Sequence, residues 1–374
     1  MSLAELALVF LKLGTIAFGG PAAHIAMMED EFVRKRHWIS AAEFLDSLAA
    51  ATLIPGPSST EVAIFIGHKK RGWSGLIVAG CCFIIPAAVL VTLIAAVYAR
   101  FGSLPQVAGI LYGIKPAVIA IALQAMWGLA RSAAKTKFLA AIGVIAVVLN
   151  AAGVAPLAVL AIAGIASGGW LWVKRQRGIA LAAIPPSGCF ALLVGTSAAA
   201  SVHVTMLRLF LSFLKIGSIV FGSGYVLLAF LREEFVTRLH WLSEKQLIDA
   251  VAVGQFTPGP VFTTGTFIGY LVAGIPGALV ATVGIFVPGF VLVALSGPLL
   301  PKLRRSALAA EILDGVVVGS LALMAVVAWQ LGRASIVDWR TFTILIASAV
   351  LLLRFRVNSA WVVAGAGITG WLIQ

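Results

Sequence analysis

The stretch His37-Trp38-Ile39-Ser40, with Pro55-Gly56-Pro57 after it, recurs later in the chain as His240-Trp241-Leu242-Ser243 with Pro258-Gly259-Pro260. Further matches follow in the same order: Phe10 to Gly14 with Phe213 to Gly217, Asp46 with Asp249, Pro86 with Pro288, Trp127 with Trp329, and Arg131 with Arg333. Ordered agreement at a period of about 200 residues indicates an internal duplication. We therefore predict two homologous halves, residues 1–177 and 205–374, joined by a connecting segment at 178–204.

Composition places both halves in a membrane. Of the 374 residues, 61% are hydrophobic and 11% are charged, and the mean hydropathy is +1.06, which excludes a soluble fold. Apolar stretches long enough for a hydrocarbon core of about 30 Å recur along the chain. We predict an all-α polytopic membrane protein. Its spanning helices are expected near 75–98, 107–130, 138–150 and 156–173, with counterparts near 277–300, 312–331, 342–353 and 359–372.

The net charge of +13 does not indicate nucleic-acid binding. The basic residues form short clusters between apolar runs, which is typical of loops that orient a protein in a bilayer, and no basic stripe alternates with aromatic residues. The three cysteines, Cys81, Cys82 and Cys189, have no spacing that suits a metal site or a disulfide framework. We expect no metal, no cofactor and no nucleic-acid partner, and the lipid bilayer as the surroundings.

The basic clusters also predict how each copy is inserted. In the first copy the clusters at 34–36, 69–71, 131–137 and 174–177 can share one face if the stretch 41–67 enters and leaves on the same side. In the second copy the loop matching 69–71 has no charge, whereas the loop matching 100–106 carries Lys302, Arg304 and Arg305. This exchange favours inverted-topology repeats with a connecting segment that spans the membrane. The alternative is a parallel repeat with charges scattered by chance.

Each copy opens with two irregular apolar segments. The first copy is interrupted at Gly19-Gly20-Pro21 and at Pro55-Gly56-Pro57-Ser58-Ser59-Thr60, and the second at Gly222-Ser223-Gly224 and at Pro258-Gly259-Pro260 with Thr263 and Thr264. Backbone amides released by such breaks cannot face lipid, so the breaks must be buried in protein or line a cavity. If each break starts a half-helix, the positive end of that helix forms an anion site within the bilayer. The alternative is that these residues only kink helices.

Charged residues inside apolar runs are the other candidates for function. Lys12 and Lys215 occupy matched positions at which a charge costs about 2.5 to 3.5 kcal/mol, so something should compensate for each. Three readings stay open: pairing of Lys12 with Asp46 and of Lys215 with Asp249, direct neutralisation of a bound anion, or extension of the lysines to the interface. Asp46 and Asp249 are also candidate coupling carboxylates.

The histidines are interpreted as structural. His37-Trp38 and His240-Trp241 each precede a stretch with the form of a helix capping box, and they are typical of residues that anchor a protein at the membrane interface. His24 has Leu227 as its counterpart in the second copy. We interpret it as a packing or surface histidine.

The motifs together resemble those of the chromate transporter family, in its two-domain form. The resemblance rests on Phe18-Gly19-Gly20-Pro21, Glu31-Phe32, His37-Trp38-Ile39-Ser40 and Pro55-Gly56-Pro57, with the second set through Pro258-Gly259-Pro260, and it spans nearly the whole chain. It implies chromate efflux across a bacterial inner membrane, chromate resistance, and sulfate as a related oxyanion. The second copy departs from the first, because Ser223-Gly224 replaces Gly20-Pro21 and Val261-Phe262-Thr263-Thr264 replaces Ser58-Ser59-Thr60.

The prediction is a secondary transporter whose broken segments meet near the midplane and bind the oxyanion through half-helix N-termini, hydroxyls and the two lysines. An anion channel, a sulfate permease and, more remotely, an intramembrane enzyme are the alternatives. We expect no enzyme, because the chain has neither His-Glu-x-x-His nor Gly-x-Ser-x-Gly. A homodimer is left open as the assembly. Sequence does not separate chromate from sulfate, since both are tetrahedral dianions.

Overall fold

The computed structural model describes residues 2–18, 20–102, 104–133, 135–176, 204–220, 226–355 and 357–373, and the regular elements in these ranges are all helices. The first copy contains α1 (Leu3–Ile16), α2 (Gly20–Glu29), α3 (Ala41–Ala51), α4 (Ser58–Phe101), α5 (Pro105–Ala133), α6 (Lys137–Ala151) and α7 (Pro156–Gln176). The second contains α8 (Met206–Ile219), α9 (Leu227–Leu231), α10 (Glu244–Phe256), α11 (Thr264–Arg305), α12 (Ala307–Ser335), α13 (Trp339–Leu353) and α14 (Ser359–Ile373). The same seven helices occur in the same order, which confirms the two homologous halves.

Two smaller features are also duplicated. The helices α2 and α9 continue as π-helical segments, Asp30–Lys35 and Arg232–Arg238. The helices α3 and α10 begin with complete capping boxes at Ser40 and Ser243, as their sequences predicted. These local signals fix where the helices start in each copy.

Both long helices fold back on themselves. The backbone leaves helical geometry at Arg71 and Gly72 in α4, and at Ala273 and Gly274 in α11. A Cβ atom added to Gly67 would collide with the carbonyl of Gly75, a contact that a continuous helix cannot make. Each helix is therefore a hairpin with a short arm (58–70 and 264–272) and a long arm (73–101 and 275–305). Glycines at the crossing let the two arms touch backbone to backbone.

The broken segments of the first copy are re-entrant hairpins. Arg36, at the end of the first π-helical segment, lies 3.5 Å from Glu5 near the start of α1. Lys69, at the end of the short arm of α4, lies 2.8 Å from Glu43 in the first turn of α3. The hydrogen bond from Lys69, with further bonds at Ser40, lowers the pKa of Glu43 to about 2, so this pair remains charged at neutral pH. Both hairpins thus enter and leave on one side, as the sequence predicted for residues 41–67.

The two copies run in opposite directions across the membrane. Ile119 in α5 lies beside Gly332 near the end of α12, whereas Lys135, just after α5, forms an ion pair of 2.8 Å with Asp314 near the start of α12. The helices α5 and α12 are counterparts, and these contacts make them antiparallel. The long arms of α4 and α11 are antiparallel too, since Gly80 contacts Phe290 while Leu76 belongs to the same buried cluster as Val293. The inverted-topology prediction is confirmed.

The copies are interlocked. Helix α5 packs against α13 and α14 of the second copy, and α12 packs in the same way against α6 and α7 of the first. Small residues let the backbones approach, as where Gly113 meets Ala366 and Gly315 meets Ala163. Close backbone packing of this kind is what associates helices in lipid, where burial of apolar surface supplies little.

The eight segments predicted as spanning helices are all helical, but only some of them are long enough to span. Among the described residues, four helices are long and apolar enough to cross a bilayer: 58–101, 107–128, 261–296 and 307–335. Helices α6, α13 and α14 have 15 residues each, or about 22 Å, and are short for a bilayer. The predicted connecting segment 178–204 lies, except for Val204, outside the described residues.

Candidate substrate-binding site

The Pro-Gly-Pro turns of the two copies meet the helix ends of the opposite copy. The backbone N–H of Gly56 donates to the carbonyl of Val220, at the end of α8, over 2.7 Å. The N–H of Gly259 donates to the carbonyl of Ala17, at the end of α1, over 2.8 Å. These two reciprocal bonds bring both Pro-Gly-Pro turns, with the ends of α1 and α8, to one centre. Because these bonds occupy the N–H groups of Gly56 and Gly259, the backbone N–H groups that remain as donors at each Pro-Gly-Pro turn are those of the first helical turn after it.

Each central glycine is required by its backbone and by its surroundings. Gly56 has a φ of 140° and Gly259 a φ of 85°, values that L-residues rarely adopt. A Cβ atom on Gly56 would meet the carboxylate of Glu61, and one on Gly259 would meet the side chain of Ala87. The first turn therefore closes over a polar group and the second over an apolar one.

His24 joins the two breaks of the first copy. Its ring is 1% exposed, with Nε2 3.0 Å from the carbonyl of Ala17 and Nδ1 3.2 Å from the hydroxyl of Ser59. A carbonyl oxygen can only accept, so Nε2 carries the proton and donates, and in the neutral ring Nδ1 accepts from Ser59. The first turns of α2 and α4 are thereby held together. The interpretation as a packing histidine was right about burial but missed this polar role.

The hydroxyl groups at the two turns differ in their bonding. In the second copy the Thr263 hydroxyl donates to the carbonyl of Pro260 and the Thr264 hydroxyl to that of Val261, each over 2.8 Å. In the first copy the Thr60 hydroxyl is buried and has no hydrogen-bond partner within the described ranges. The threonine hydroxyls of the second turn are bonded to their own backbone, whereas the Thr60 hydroxyl of the first turn is available to a ligand.

Glu61 is the residue that the sequence reading missed at this centre. It lies in the first turns of α4, is 0% exposed, and neither carboxylate oxygen has a hydrogen-bond partner among the residues that the structure describes. The matching stretch of the second copy, 261–264, contains no carboxylate. A carboxylate at the start of an apolar helix, present in one copy alone, was the signal that could have identified it.

The two matched lysines pair with glutamates. Lys12 lies 3.9 Å from Glu31 and Lys215 lies 3.2 Å from Glu234, so the pairing of these lysines with Asp46 and Asp249 is wrong. The π-helical segments present the glutamates, and Glu31 also binds Arg36 while Glu234 also binds Ser212 and Arg238. The lysine side chains are 57% and 47% exposed. They lie in compensated pairs within their own copies.

The matched aspartates have different environments. Asp46 lies on the exposed side of α3, whereas Asp249 is 0% exposed. The Asp249 carboxylate is 3.0 Å from the ammonium of Lys115 and accepts a hydrogen bond of 2.7 Å from the hydroxyl of Tyr98. Both partners come from the first copy, so this network crosses between the repeats. Lys115, the one charged residue of the apolar run 105–130, was a second signal that the sequence reading passed over.

A surface cavity leads toward this network from the face opposite to Lys69. Its lining includes Lys115 and Lys245 together with Tyr112 and Ser335. Lys245 is exposed and Lys115 is partly exposed, so two ammonium groups face the same space. The arrangement can attract an anion from that side of the membrane.

The remaining predicted site residues fall into two groups. Gly20 and Pro21 begin α2, Pro55 to Pro57 precede α4, Ser58 to Thr60 begin it, and Pro258 to Thr264 lead into α11, so these lie at the breaks. Gly19, Gly222, Ser223 and Gly224 lie outside the described residues.

Comparisons with known proteins agree with this architecture. The family model described as "Chromate transporter" matches residues 4–168 and again residues 207–371. The chromate transport protein of Cupriavidus metallidurans is 33% identical over 99% of this chain and 92% of its own length. The probable chromate transport protein of Synechococcus elongatus is 32% identical over 92% of this chain and 88% of its own. No solved structure matches the chain significantly.

Proposed function

Because this chain belongs to the chromate transporter family, we propose that it is a secondary transporter that exports chromate, with sulfate as a related substrate. The observation that carries the proposal is the meeting of the two Pro-Gly-Pro turns at one centre, through the reciprocal bonds of Gly56 and Gly259. Half-helix ends from inverted repeats that converge inside the bilayer are the usual setting for a transported ion. The protein crosses the membrane several times and buries this centre, which can therefore serve as a substrate-binding site. Relatives of the chain are named as chromate transport proteins.

The first copy supplies most of the proposed binding groups. The first turns of α2 and α4 point their amide groups and positive dipole ends at the centre, which suits a tetrahedral oxyanion. The Thr60 hydroxyl can donate to it, and His24 and Ser59 fix the geometry. The second copy faces the site with Pro260, Thr263 and Thr264, whose hydroxyls are already bonded. Lys12 and Lys215 are neutralised by their glutamate partners and are not direct ligands in this proposal.

Transport proceeds by alternating access in this proposal. The interlocked helices α5 to α7 and α12 to α14 form a frame, and the hairpins α1 to α4 and α8 to α11 carry the breaks. Rocking of the hairpins of one copy against those of the other exposes the centre to each side in turn. The Lys115 and Asp249 pair joins α5 of the frame to α10 of the hairpins, so it is placed to hold one of the two states.

The proposed direction of transport follows from the distribution of basic residues between the two faces and from the charge of the substrate. The face that carries Lys69 and Lys135 also carries most of the basic clusters, and such loops remain cytoplasmic in a bacterial inner membrane. An inside-negative potential favours outward movement of a dianion by about 4.6 kcal/mol per 100 mV, from 2.3 kcal/mol for each charge. Export down this potential would lower cytoplasmic chromate and so confer resistance.

Flux into proteoliposomes tests the proposal. The purified protein is reconstituted and loaded with labelled chromate, sulfate or phosphate under imposed voltage and pH gradients. We expect saturable chromate flux and stimulation by unlabelled chromate on the opposite side, since a carrier exchanges its substrate. Flux that rises without saturation and shows no exchange would identify an anion channel. Absence of chromate flux at every gradient would remove the assignment.

A further inference from the structure

Glu61 is a buried carboxyl group with no compensating charge in the part of the chain that the structure describes. Its side chain folds back over the turn, so that Oε1 lies where a Cβ of Gly56 would be, and it approaches Gly289 of α11. It stands at the positive end of the short arm of α4, the same end that faces the proposed anion site. The polar atoms of Glu61 find no hydrogen-bond partner in the described part of the chain.

The charged and titratable groups of the surrounding helices are engaged elsewhere or face away. On α2, His24 binds Ser59 and Ala17; on α1, Lys12 pairs with Glu31. On α10, Asp249 is held by Lys115 and Tyr98, and on α3, Glu43 pairs with Lys69 while Asp46 lies on the exposed side. Residues 264–300 of α11 include Tyr270 as their one titratable residue. Among the described residues, therefore, no cation forms an ion pair with Glu61.

An ionised Glu61 and a bound dianion would compete for the same positive helix end. Like charges at close range repel strongly where water is excluded, and an unpaired buried carboxylate is costly by itself. A protonated carboxyl group is neutral and can donate a hydrogen bond to an oxyanion. Occupation of the centre by substrate therefore requires a proton on Glu61.

We propose that Glu61 is the proton site of the transport cycle, so that one proton and one oxyanion are bound together at the start of α4. The inference rests on the proposed function and adds its coupling ion. A dianion and a proton then move in the same direction, with a net charge of minus one per cycle, so the membrane potential drives export with half the free energy that it would supply to the dianion alone. Glu61, and not the matched pair Asp46 and Asp249, is the coupling carboxyl group.

The first test uses Glu61→Gln, which keeps the size of the side chain and cannot ionise. Reconstituted wild type and variant are compared at alkaline pH, where chromate remains a dianion, by the voltage at which chromate flux reverses. For the wild type, a tenfold proton gradient should shift this voltage by about 59 mV, whereas the shift should vanish in Glu61→Gln. Glu311→Gln, which removes a carboxyl group at the start of α12, is the control and should behave as the wild type.

A second measurement does not depend on the variant. A hydrophobic carbodiimide reacts with protonated carboxyl groups in membranes, and mass spectrometry of the labelled wild-type protein should find the adduct on Glu61. A 59 mV shift that persists in Glu61→Gln, or an adduct on Asp46 or Asp249 in place of Glu61, would overturn the inference and leave chromate transport intact. Absence of saturable chromate flux in the wild type would overturn the transport function and this inference with it.

Discussion

The two Pro-Gly-Pro turns have the same backbone role but different chemistry. Both glycines adopt positive φ and both donate to a helix end of the opposite copy. Around the first turn lie a buried histidine, together with a hydroxyl and a carboxyl group that have no hydrogen-bond partner among the described residues. Hydroxyls bonded to their own backbone and the apolar Ala87 surround the second. Duplication therefore supplied a symmetric scaffold. The polar groups that can meet a substrate lie on one side of it.

The matched aspartates should show the largest difference between the copies. Asp249 is fully buried and Lys115 only partly exposed, so Asp249→Asn leaves the Lys115 ammonium without its counter-charge at a mostly buried site, which costs up to about 3 to 5 kcal/mol. Asp46→Asn, on an exposed surface, should change stability by less than about 0.5 kcal/mol. Thermal unfolding of the two variants in detergent measures the contrast.

A double variant gives the control for this prediction. Lys115→Met combined with Asp249→Asn removes both charges and should recover most of the stability, because the cost comes from the charge that is left alone. If Asp249→Asn unfolds at the same temperature as Asp46→Asn, the network across the repeats does not stabilise the fold.

The threonines at the two turns should differ in transport. Thr60→Val removes a hydroxyl that is available to the oxyanion, and loss of a hydrogen bond to a charged group costs about 1.5 to 3 kcal/mol. We expect chromate affinity, measured from the concentration dependence of flux, to fall by about 10- to 150-fold. Thr263→Val removes a hydroxyl that is bonded to Pro260 and should leave affinity nearly unchanged.

The outcome decides which copy binds. Equal losses of affinity in the two threonine variants would mean that the site is symmetric, and a larger loss in Thr263→Val would assign it to the second copy.

The matched lysines should show the smallest effects. Each is about half exposed and paired with a glutamate of its own copy, and exposed pairs contribute between 0 and about 1 kcal/mol. Lys12→Ala and Lys215→Ala should each change chromate flux by less than about fivefold. A loss of flux above tenfold in both variants would restore the lysines as direct ligands of the anion.

The sequence predicted the features that depend on local chemistry. Proline and glycine placed the breaks at Pro55 to Pro57 and Pro258 to Pro260, serine and glutamate placed the capping box at Ser40, and the basic loops predicted the inversion. The ion-pair partners of the charged side chains were not predictable in the same way. A π-helical segment turned Glu31 toward Lys12, and Asp249 found Lys115 in a helix of the other copy. Such pairs depend on packing between distant segments, which a one-dimensional pattern does not contain.

The same reasoning explains why Glu61 was missed. Comparison of the two copies identifies the residues that they share. Glu61 and Lys115 have no charged counterpart, because residues 261–264 and Val317 occupy the matching positions. In a duplicated chain the unmatched charged residues inside apolar helices are the better candidates for function. A charge inside a membrane helix costs free energy, and the scaffold that the two copies share does not require it.

Opposite insertion of the two copies is the claim from which the rest follows, and cysteine accessibility measures it directly. Trp73 and Ile275 are matched residues beside the two helix reversals, 64% and 61% exposed. In a background without Cys81, Cys82 and Cys189, a membrane-impermeant thiol reagent should label Trp73→Cys only in inside-out vesicles and Ile275→Cys only in right-side-out vesicles. Labelling of both cysteines from the same side would contradict the inverted arrangement and the shared centre built on it.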